Sequence, residues 1–419
     1  MKVFAIIAEF NPFHNGHKYL IETIKNNYND AFCIALMSGS FTQRGDTAIF
    51  DKWQRASLSV LGGADLVLEL PAAFAVRSAE GFAQGAVSLL CRLGCIDMLC
   101  FGSETADINA LKKAAHLLNH QLDGKKLRES LRSGMTYAAA VEKAIEEYIP
   151  QINFSLKAPN TILAIEYLKA MEKEQANFSA IAIKRKKANH GSSVFTGSFS
   201  SASSIRKILK SDSTSLQKIQ CAIPDSCYFY MQSILKNTDN ISFTENLARS
   251  MMAKIRTSSA DRLRQFSGIG SGLEYRILKA ACTADSIDAM LSMMKSKHLH
   301  YSRLQRSLLH ILMDLDKASL TDFDIFGAAY ARVLAFNANG RKILKKIKTD
   351  SSIPPILKTT KFFSQRQFWQ NSDDKLQSLL HYDILATDLH ALSFNKVAPA
   401  GKDFYLSPVY IDTDNVSPL

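Results

Sequence analysis

The chain is predicted to fold as an α/β protein, a doubly wound, Rossmann-like parallel sheet followed by a mainly helical region. Three observations predict this class. Apolar runs with the length and continuity of strands buried on both faces fall at residues 2–9, 32–37, 65–70, 97–101 and 178–183. Segments with helical spacing lie between or beside them at 17–27, 52–61, 78–93, 108–119, 126–147 and 160–173, and strands alternating with helices build a parallel sheet covered on both faces. From about residue 211 the strand pattern gives way to helical patterns at 243–255, 272–282, 286–294, 301–312, 326–335 and, past the Pro354-Pro355 break, 372–381.

Composition bounds the class. With 419 residues, 47% hydrophobic and 21% charged, the chain has the make-up of a globular protein of two or three domains. No stretch approaches the ~18 apolar residues of a membrane span. The first residues lack a basic segment and a small-residue cleavage site, so a cytoplasmic protein without a membrane partner is expected. Seven cysteines, an odd number, fit reduced thiols. Cys91, Cys95 and Cys100 lack CxxC spacing and sit where an apolar helix end meets a strand, so they read as buried small hydrophobes, not metal ligands.

The first strand runs into Asn11-Pro12-Phe13, a stiff turn because Pro12 fixes its own φ and keeps Asn11 extended. His14-Asn15-Gly16-His17 follow. If Gly16 opens the next helix, His17 lies in its first turn, where unpaired N–H groups and the positive end of the macrodipole favour an anion. Gly16 also lets a bulky ligand approach the backbone. Two imidazole N–H groups aimed at an α-phosphate would stabilise the charge that develops as an oxygen nucleophile displaces pyrophosphate. Nucleotidyl transfer is therefore the expected chemistry, with His14 and His17 as catalytic residues. Three plainer readings compete: a metal pair, which lacks a third ligand at suitable spacing; a chance match, which the strand-to-helix position argues against; and a helix-capping role, which is compatible with binding.

Ligands of doubly wound sheets bind beyond the carboxyl ends of the strands. The loops at 38–46, 71–74 and 102–104 reach that edge and are expected to wall the site. Lys184-Arg185-Lys186-Lys187 leaves the last strand there; a charge run is usually a solvated face, but its place at a strand's carboxyl end makes Arg185 a candidate phosphate or adenylate contact. Asn160, after Ala158-Pro159, either caps a helix or binds the nucleotide. Serines 200, 201, 203 and 204 lead into Ile205-Arg206, placing hydroxyls and N–H groups at a helix N-terminus with Arg206 ready for β- and γ-phosphates.

Charge is uneven. The net charge is +12; residues 1–150 hold 15 Lys and Arg against 16 Asp and Glu, and the remainder hold 36 against 23. A basic second half implies a polyanionic partner, RNA or DNA ahead of a membrane. His298, His300, Tyr301, Arg303 and Arg306 interleave aromatics and cations, as do Tyr330, Arg332, Phe336, Asn337, Asn339, Gly340, Arg341 and Lys342. Cations that neutralise phosphates beside aromatics that stack on bases suit RNA loops, and a helix with a basic outer face is the plain alternative.

AIIAEFNPFHNGH at 5–17 resembles the opening motif of the tRNA(Met) cytidine acetate ligases, a branch of the HxGH nucleotidyltransferase superfamily. The resemblance continues through MSGSFTQRGD (37–46), DLVLELPAAFAVRSAEGFAQGAV (65–87), FGSE (101–104), PNTILAIEYLKA (159–170), SSASSIR (200–206), YSRLQRSLLHIL (301–312) and RVLAFNANGRKIL (332–344). It implies that residues 1–210 form a nucleotidyltransferase-like, ATP-binding catalytic domain and that 211–419 form a basic, mainly helical tRNA-binding region. Arg303, Arg306, Arg332 and Arg341 are the expected tRNA contacts.

The implied reaction has two steps: acetate attacks the α-phosphate of ATP to give acetyl-adenylate and pyrophosphate, and the N4 amine of the wobble cytidine of elongator tRNA(Met) then takes the acetyl group. Carried over by the resemblance, Ile7, Ala8, Glu9, Phe10, Asn11, Pro12, Phe13, His14, Asn15, Gly16, His17, Lys18, Tyr19 and Leu20 contact ATP, with Gly102, Asn160 and Arg185. Ser203 and Arg206 belong to the counterpart of the superfamily's second phosphate motif. ATP is a substrate expected to arrive with Mg2+, and no metal centre in the protein is expected. An acyl-adenylate hydrolyses, so the pocket should be covered, and rejection of propionate must come from pocket size, worth about 1 to 3 kcal/mol per methylene. Two alternatives stand beside this. A small-molecule nucleotidylyltransferase of the pantetheine-phosphate or nicotinate type is usually much shorter, and a silent RNA-binding protein would not need intact His14, Gly16 and His17.

Overall fold

A computed structural model of the chain describes residues 1–121, 129–130, 133, 135, 137–148, 158–186, 195–211, 216–236, 238–270, 272–296, 299–370 and 372–413. The start of the helix expected over 126–147, Lys187 and His298 lie outside the described residues. The five expected strands are present as β1 (Lys2–Ala8), β2 (Ala31–Ser38), β3 (Leu66–Leu70), β4 (Met98–Ser103) and β5 (Ser179–Lys184). The helices are α1 (Asn15–Asn27), α2 (Lys52–Leu61), α3 (Ala72–Ala75), α4 (Ala79–Leu93), α5 (Ile108–His116), α6 (Tyr137–Tyr148), α7 (Pro159–Lys173) and α8 (Ala202–Ser211). The parallel strands stand in the order β5-β4-β1-β2-β3, so the strand order reverses between β1 and β4. A switch point of this kind leaves a crevice beyond the carboxyl ends of the two strands.

Side-chain alternation divides the strands between two cores. Val3 and Ala5 face one side with α4 and α7; Phe4 and Ile6 face the other with Ile21 and Ile24 of α1 and Ile205 and Leu209 of α8. Burial on both faces accounts for the unbroken apolar runs. Cys95 precedes β4 and Cys100 lies within it; both are buried and unpaired, and Cys91 near the end of α4 is half-buried. Arg55 of α2, fully buried, donates to Glu9 O, to Ser38 O at 2.9 Å and to Gly39 O, clamping together the backbone at the ends of β1 and β2.

One expected element is wrong. In place of a helix over 326–335, Gly327 at φ 68° ends the helix Lys317–Phe326, and Ala331–Phe336 forms β6, antiparallel to β3. A short apolar run fits a buried strand as well as a buried helix, and here the partner strand decides. β7 (Pro355–Ile356) and β8 (Val409–Tyr410) both pair with β6, so the sheet is mixed and residue 210 is not its edge. The second half also covers both faces. Cys227 and Met231 join the core of α1 and α2, and the helices Ala248–Arg256, Leu273–Thr283 and Ile287–Met294 pack on the opposite one. With them lie α9 (Tyr301–Met313) and α11 (Lys375–Ala391), while α10 (Ala338–Asp350) follows β6.

Two buried imidazoles tie this half to the first. His310 Nε2 donates to Val76 O at 2.8 Å and His390 Nε2 to Ala48 O at 2.7 Å. Burial, the largest cause, lowers each from 6.5 to about 4. Between these values the unfolded chain binds protons that the folded chain refuses, so this contribution is complete above pH 6.5 and is lost as the pH falls towards 4. Each ring is worth about 1.4 kcal/mol per pH unit in that window. Urea midpoints are expected to fall from pH 7 to pH 5, and His390→Gln, which keeps a donor for Ala48 O, is expected to flatten the slope.

Candidate active site

β1 delivers the chain to the switch point. Asn11, just beyond it, accepts the Ile49 N–H on Oδ1 at 2.7 Å, and Phe13 is buried against Gly62. His14 then caps α1: its Nδ1 accepts the Gly16 N–H at 3.0 Å, and His17 Nδ1 accepts the His14 N–H at 3.3 Å. The rings stack with centroids 3.9 Å apart. A Cβ on Gly16 would lie 2.8 Å from His14 Cε1, so the glycine is required by the ring folded over it as well as by any ligand.

An Nδ1 that accepts an N–H carries no proton, so each neutral ring presents Nε2–H. Burial, then the charges of Arg185 and Arg206, lower His14 to about 3; burial, then His14 and Arg185, hold His17 well below its ordinary value. At neutral pH the pair is two uncharged donors. Positive charge at the site comes from Arg44, Arg185 and Arg206, from Lys184 and Lys186, and from the α1 N-terminus.

These side chains line a cleft of about 270 Å³ at the ends of β1, β4 and β5. Across from the histidines, Asn160 Nδ2 donates to Glu104 Oε1 at 2.7 Å, Thr161 Oγ1 donates to Glu104 Oε2 at 2.9 Å, and Arg185 reaches Asn160 Oδ1 at 3.5 Å. Burial would raise Glu104, but the hydrogen bonds from Asn160 and Thr161 hold it below the usual carboxylate range. Arg206 of α8 donates to Asn11 O at 2.6 Å and to Ser203 Oγ at 3.4 Å, and Ser201 caps that helix by accepting the Ser204 N–H at 3.1 Å. The loop after β2 closes another wall: Gln43 N–H donates to Glu9 Oε1 at 2.9 Å, while α9 holds the loop through Gln305 to Asp46 Oδ1 at 2.5 Å and Arg306 to Gln43 O at 3.3 Å. Gly45, at φ 88°, is pressed onto α9, where its Cβ would lie 3.0 Å from Arg306 N.

A model of the HIGH Nucleotidyl Transferase family matches residues 1–403. The tRNA(Met) cytidine acetate ligase of Thermoanaerobacter sp. (strain X514) is 37% identical over 410 residues, covering 96% of this chain and 98% of that protein. The chain belongs to the tRNA(Met) cytidine acetate ligase family. The ligase of Clostridium kluyveri (strain ATCC 8527) is 36% identical over 422 residues, covering 98% of this chain and all of that one (100%). Among solved structures, apo Thermotoga maritima TmcAL (form I) matches with a TM-score of 0.90 at 29% identity over 99% of this chain and 100% of that one. The same protein bound with alpha-thio ATP (form II) matches with a TM-score of 0.87 at 28% identity over the same shares, 99% and 100%.

Of the residues expected on ATP in a tRNA(Met) cytidine acetate ligase, Ile7, Ala8, Glu9, Phe10, Asn11, His14, Gly16, His17, Tyr19, Leu20, Gly102, Asn160, Arg185, Ser203 and Arg206 line the cleft. Pro12, Phe13, Asn15 and Lys18 do not. Pro12 and Phe13 are buried beneath it, Asn15 Nδ2 donates to Ser198 O and Cys221 O, and Lys18 pairs with Glu22 along α1. The alternative role of Asn160 as a cap falls away, because Ala158 occupies that position and its side chain makes no cap bond. Residue-by-residue reading missed Phe82, Leu163, Tyr167 and Phe199, apolar or aromatic positions that resemble core until the fold turns them to the cleft. At the rim, Lys186 Nζ lies 4.2 Å from the Tyr19 ring centroid, with Phe199 edge-on to Tyr19 at 6.2 Å.

The expected RNA cations separate. Arg332 is buried in β6 opposite Glu69 and binds Asp403 Oδ1 at 2.8 Å and Thr359 Oγ1 at 2.6 Å, so it is a core residue and not a surface contact. Tyr330 is likewise buried, donating to Asp383 at 2.6 Å, and Asn337 caps α10. Arg341 is exposed over the Tyr410 ring; Arg303 is exposed on α9, and Arg306 is half-buried against the loop after β2. Among the described residues, His116, His120 and Glu172 bring metal-ligand atoms together, at the exposed surface and outside the cleft lining. No helix of the described residues is long and apolar enough to cross a membrane.

Proposed function

We propose that the chain is an ATP-dependent tRNA(Met) cytidine acetate ligase, acting in the cytoplasm on acetate, ATP and elongator tRNA(Met). The observation that carries this reading is its 37% identity, over 96% of its length, to a ligase of that name. An acetate oxygen attacks the α-phosphorus of ATP and the bond to the β-phosphate bridging oxygen breaks, giving acetyl-adenylate and pyrophosphate. His14 and His17 donate Nε2–H to the α-phosphate oxygens, whose charge grows in the transition state. Arg206, with Ser203 and the α8 N-terminus, receives the departing phosphates, and Arg185 with Asn160 holds the nucleotide at the ends of β4 and β5. The cytidine N4 amine then attacks the acetyl carbonyl, AMP leaves, and the amine gives up a proton.

An ionised acetate needs no general base. The nearby carboxylates Glu9 and Asp46 each have one oxygen engaged, by Gln43 N–H and by Gln305, and the expected Mg2+ is read as travelling with the phosphates. Arg303 and Arg306 of α9 are the proposed tRNA contacts beside the active-site loop, with Arg341 farther along the chain. Incubation with ATP, labelled acetate and total tRNA is expected to yield N4-acetylcytidine, AMP and pyrophosphate. Turnover of a nicotinate or pantetheine substrate without acetate incorporation would replace this reading, as would tRNA binding with no reaction.

A further inference from the structure

We propose that the floor of the cleft beside β1 and β4 is the acetate subsite, with the Tyr167 hydroxyl and the Asn11 side-chain amide donating to the carboxylate and Phe82, Phe101 and Leu163 enclosing the methyl group. This rests on the ligase reading and names the residues that would make it specific. Tyr167 and Asn11 are each only 2% exposed, both line the cleft, and among the described residues neither the Tyr167 hydroxyl nor Asn11 Nδ2 has a hydrogen-bond partner. Buried polar atoms are nearly always paired, so two orphans in one cleft mark places where a ligand supplies what the protein withholds.

Their chemistry narrows the ligand. The Asn11 amide nitrogen can only donate, since its Oδ1 already accepts from Ile49. Burial, and then the Glu9 charge, push the Tyr167 hydroxyl far above its ordinary value, so it keeps its proton and donates as well. Two donors call for an acceptor. The surrounding rings favour one with a short apolar end: Phe101 packs 5.7 Å from the Tyr167 ring, and Phe82 and Leu163 complete the wall. A phosphate in that place would leave charged oxygens against hydrocarbon.

Position fits the reaction. Asn160, Leu163 and Tyr167 recur at i, i+3 and i+7 along one face of α7, and all three line the cleft. The helix thus passes from the proposed nucleotide contact at its N-terminus to the hydroxyl two turns along. Glu9 shares the floor, but it accepts from Gln43 and faces Arg55 and Arg206, so its charge is countered from two sides.

The test measures pyrophosphate release without tRNA. Tyr167→Phe keeps the ring and removes only the donor; it is expected to raise the KM for acetate about tenfold or more while the KM for ATP stays within about twofold. Leu163→Ala enlarges the pocket independently of the hydroxyl, and the kcat/KM ratio of propionate to acetate is expected to rise by about tenfold or more. An unchanged acetate KM in Tyr167→Phe overturns the proposal, and so does an equal rise in both KM values, which would assign the hydroxyl to the nucleotide. Normal pyrophosphate release with lost acetyl transfer would give the floor to the cytosine base instead, and an unchanged propionate ratio in Leu163→Ala would remove the methyl pocket. If the unaltered protein releases no pyrophosphate in response to acetate, the ligase reading itself has failed.

Discussion

Replacing His17 by Ala is expected to lower acetate-dependent pyrophosphate release by about 10² to 10³-fold while tRNA binding stays nearly unchanged. The magnitude is that of losing one preorganised donor to a developing oxyanion. It applies because the ring is neutral: its Nδ1 is occupied by the His14 N–H, burial keeps a second proton off, and Nε2–H remains to donate. The same bond gives His17 a structural share, since it completes the capping box of α1. His17→Asn separates the two roles. Its Oδ1 can still accept from His14 while no group replaces Nε2–H, so a folded protein with the same loss of pyrophosphate release is expected. Recovery of activity in His17→Asn, or tRNA binding that falls in step with adenylation, would make the residue a cap and nothing more. His14→Ala removes a cap as well, and about 1 kcal/mol of stability should go with it.

Arg332→Met is expected to cost about 3 to 5 kcal/mol, a fall in Tm of about 3 to 6 °C, without a selective effect on tRNA binding. Arg332 closes a buried ionic cluster in which Lys52 Nζ lies 2.9 Å from Glu69 and 2.8 Å from Asp403, all three residues buried. Desolvating these groups is costly, and their mutual contacts, with the Thr359 hydroxyl on Arg332, offset it; without the guanidinium, Asp403 keeps Lys52 alone among these cations. Methionine preserves the stem, so the measured loss is that of the charge. Thermal or urea unfolding of Arg332→Met beside Arg341→Ala checks the argument, because the exposed Arg341 should change stability by no more than about 0.5 kcal/mol. A stable Arg332→Met protein that no longer binds tRNA would return Arg332 to the RNA surface.

The first 210 residues were the more legible because their strands are buried on both faces and announce themselves as unbroken apolar runs. The HxGH turn was legible for a related reason: chemistry and local structure coincide there, with cap, glycine and donor inside four consecutive residues. Ala331–Phe336 failed the same test. Six residues with one arginine among them carry no period long enough to separate strand from helix, and only pairing with β3 makes the segment β6. The Arg332 error follows from that one, because a guanidinium reads as solvent-exposed until a carboxylate from a distant segment is set against it.

By its residues alone, the chain determined a parallel sheet with a turn suited to anions after its first strand, and a family resemblance that pointed to adenylation and RNA. These are local properties, written in runs and motifs of a few to about twenty residues. The tertiary structure decided which charges are buried and which exposed, that both histidines carry their proton on Nε2, and that the second half completes the sheet and clamps the loop after β2. It also turned Tyr167, Leu163 and Phe82 from apparent core into cleft wall. Each of those depends on contacts between segments far apart in sequence, and the burial and partnering they create are invisible to any window of the chain read by itself.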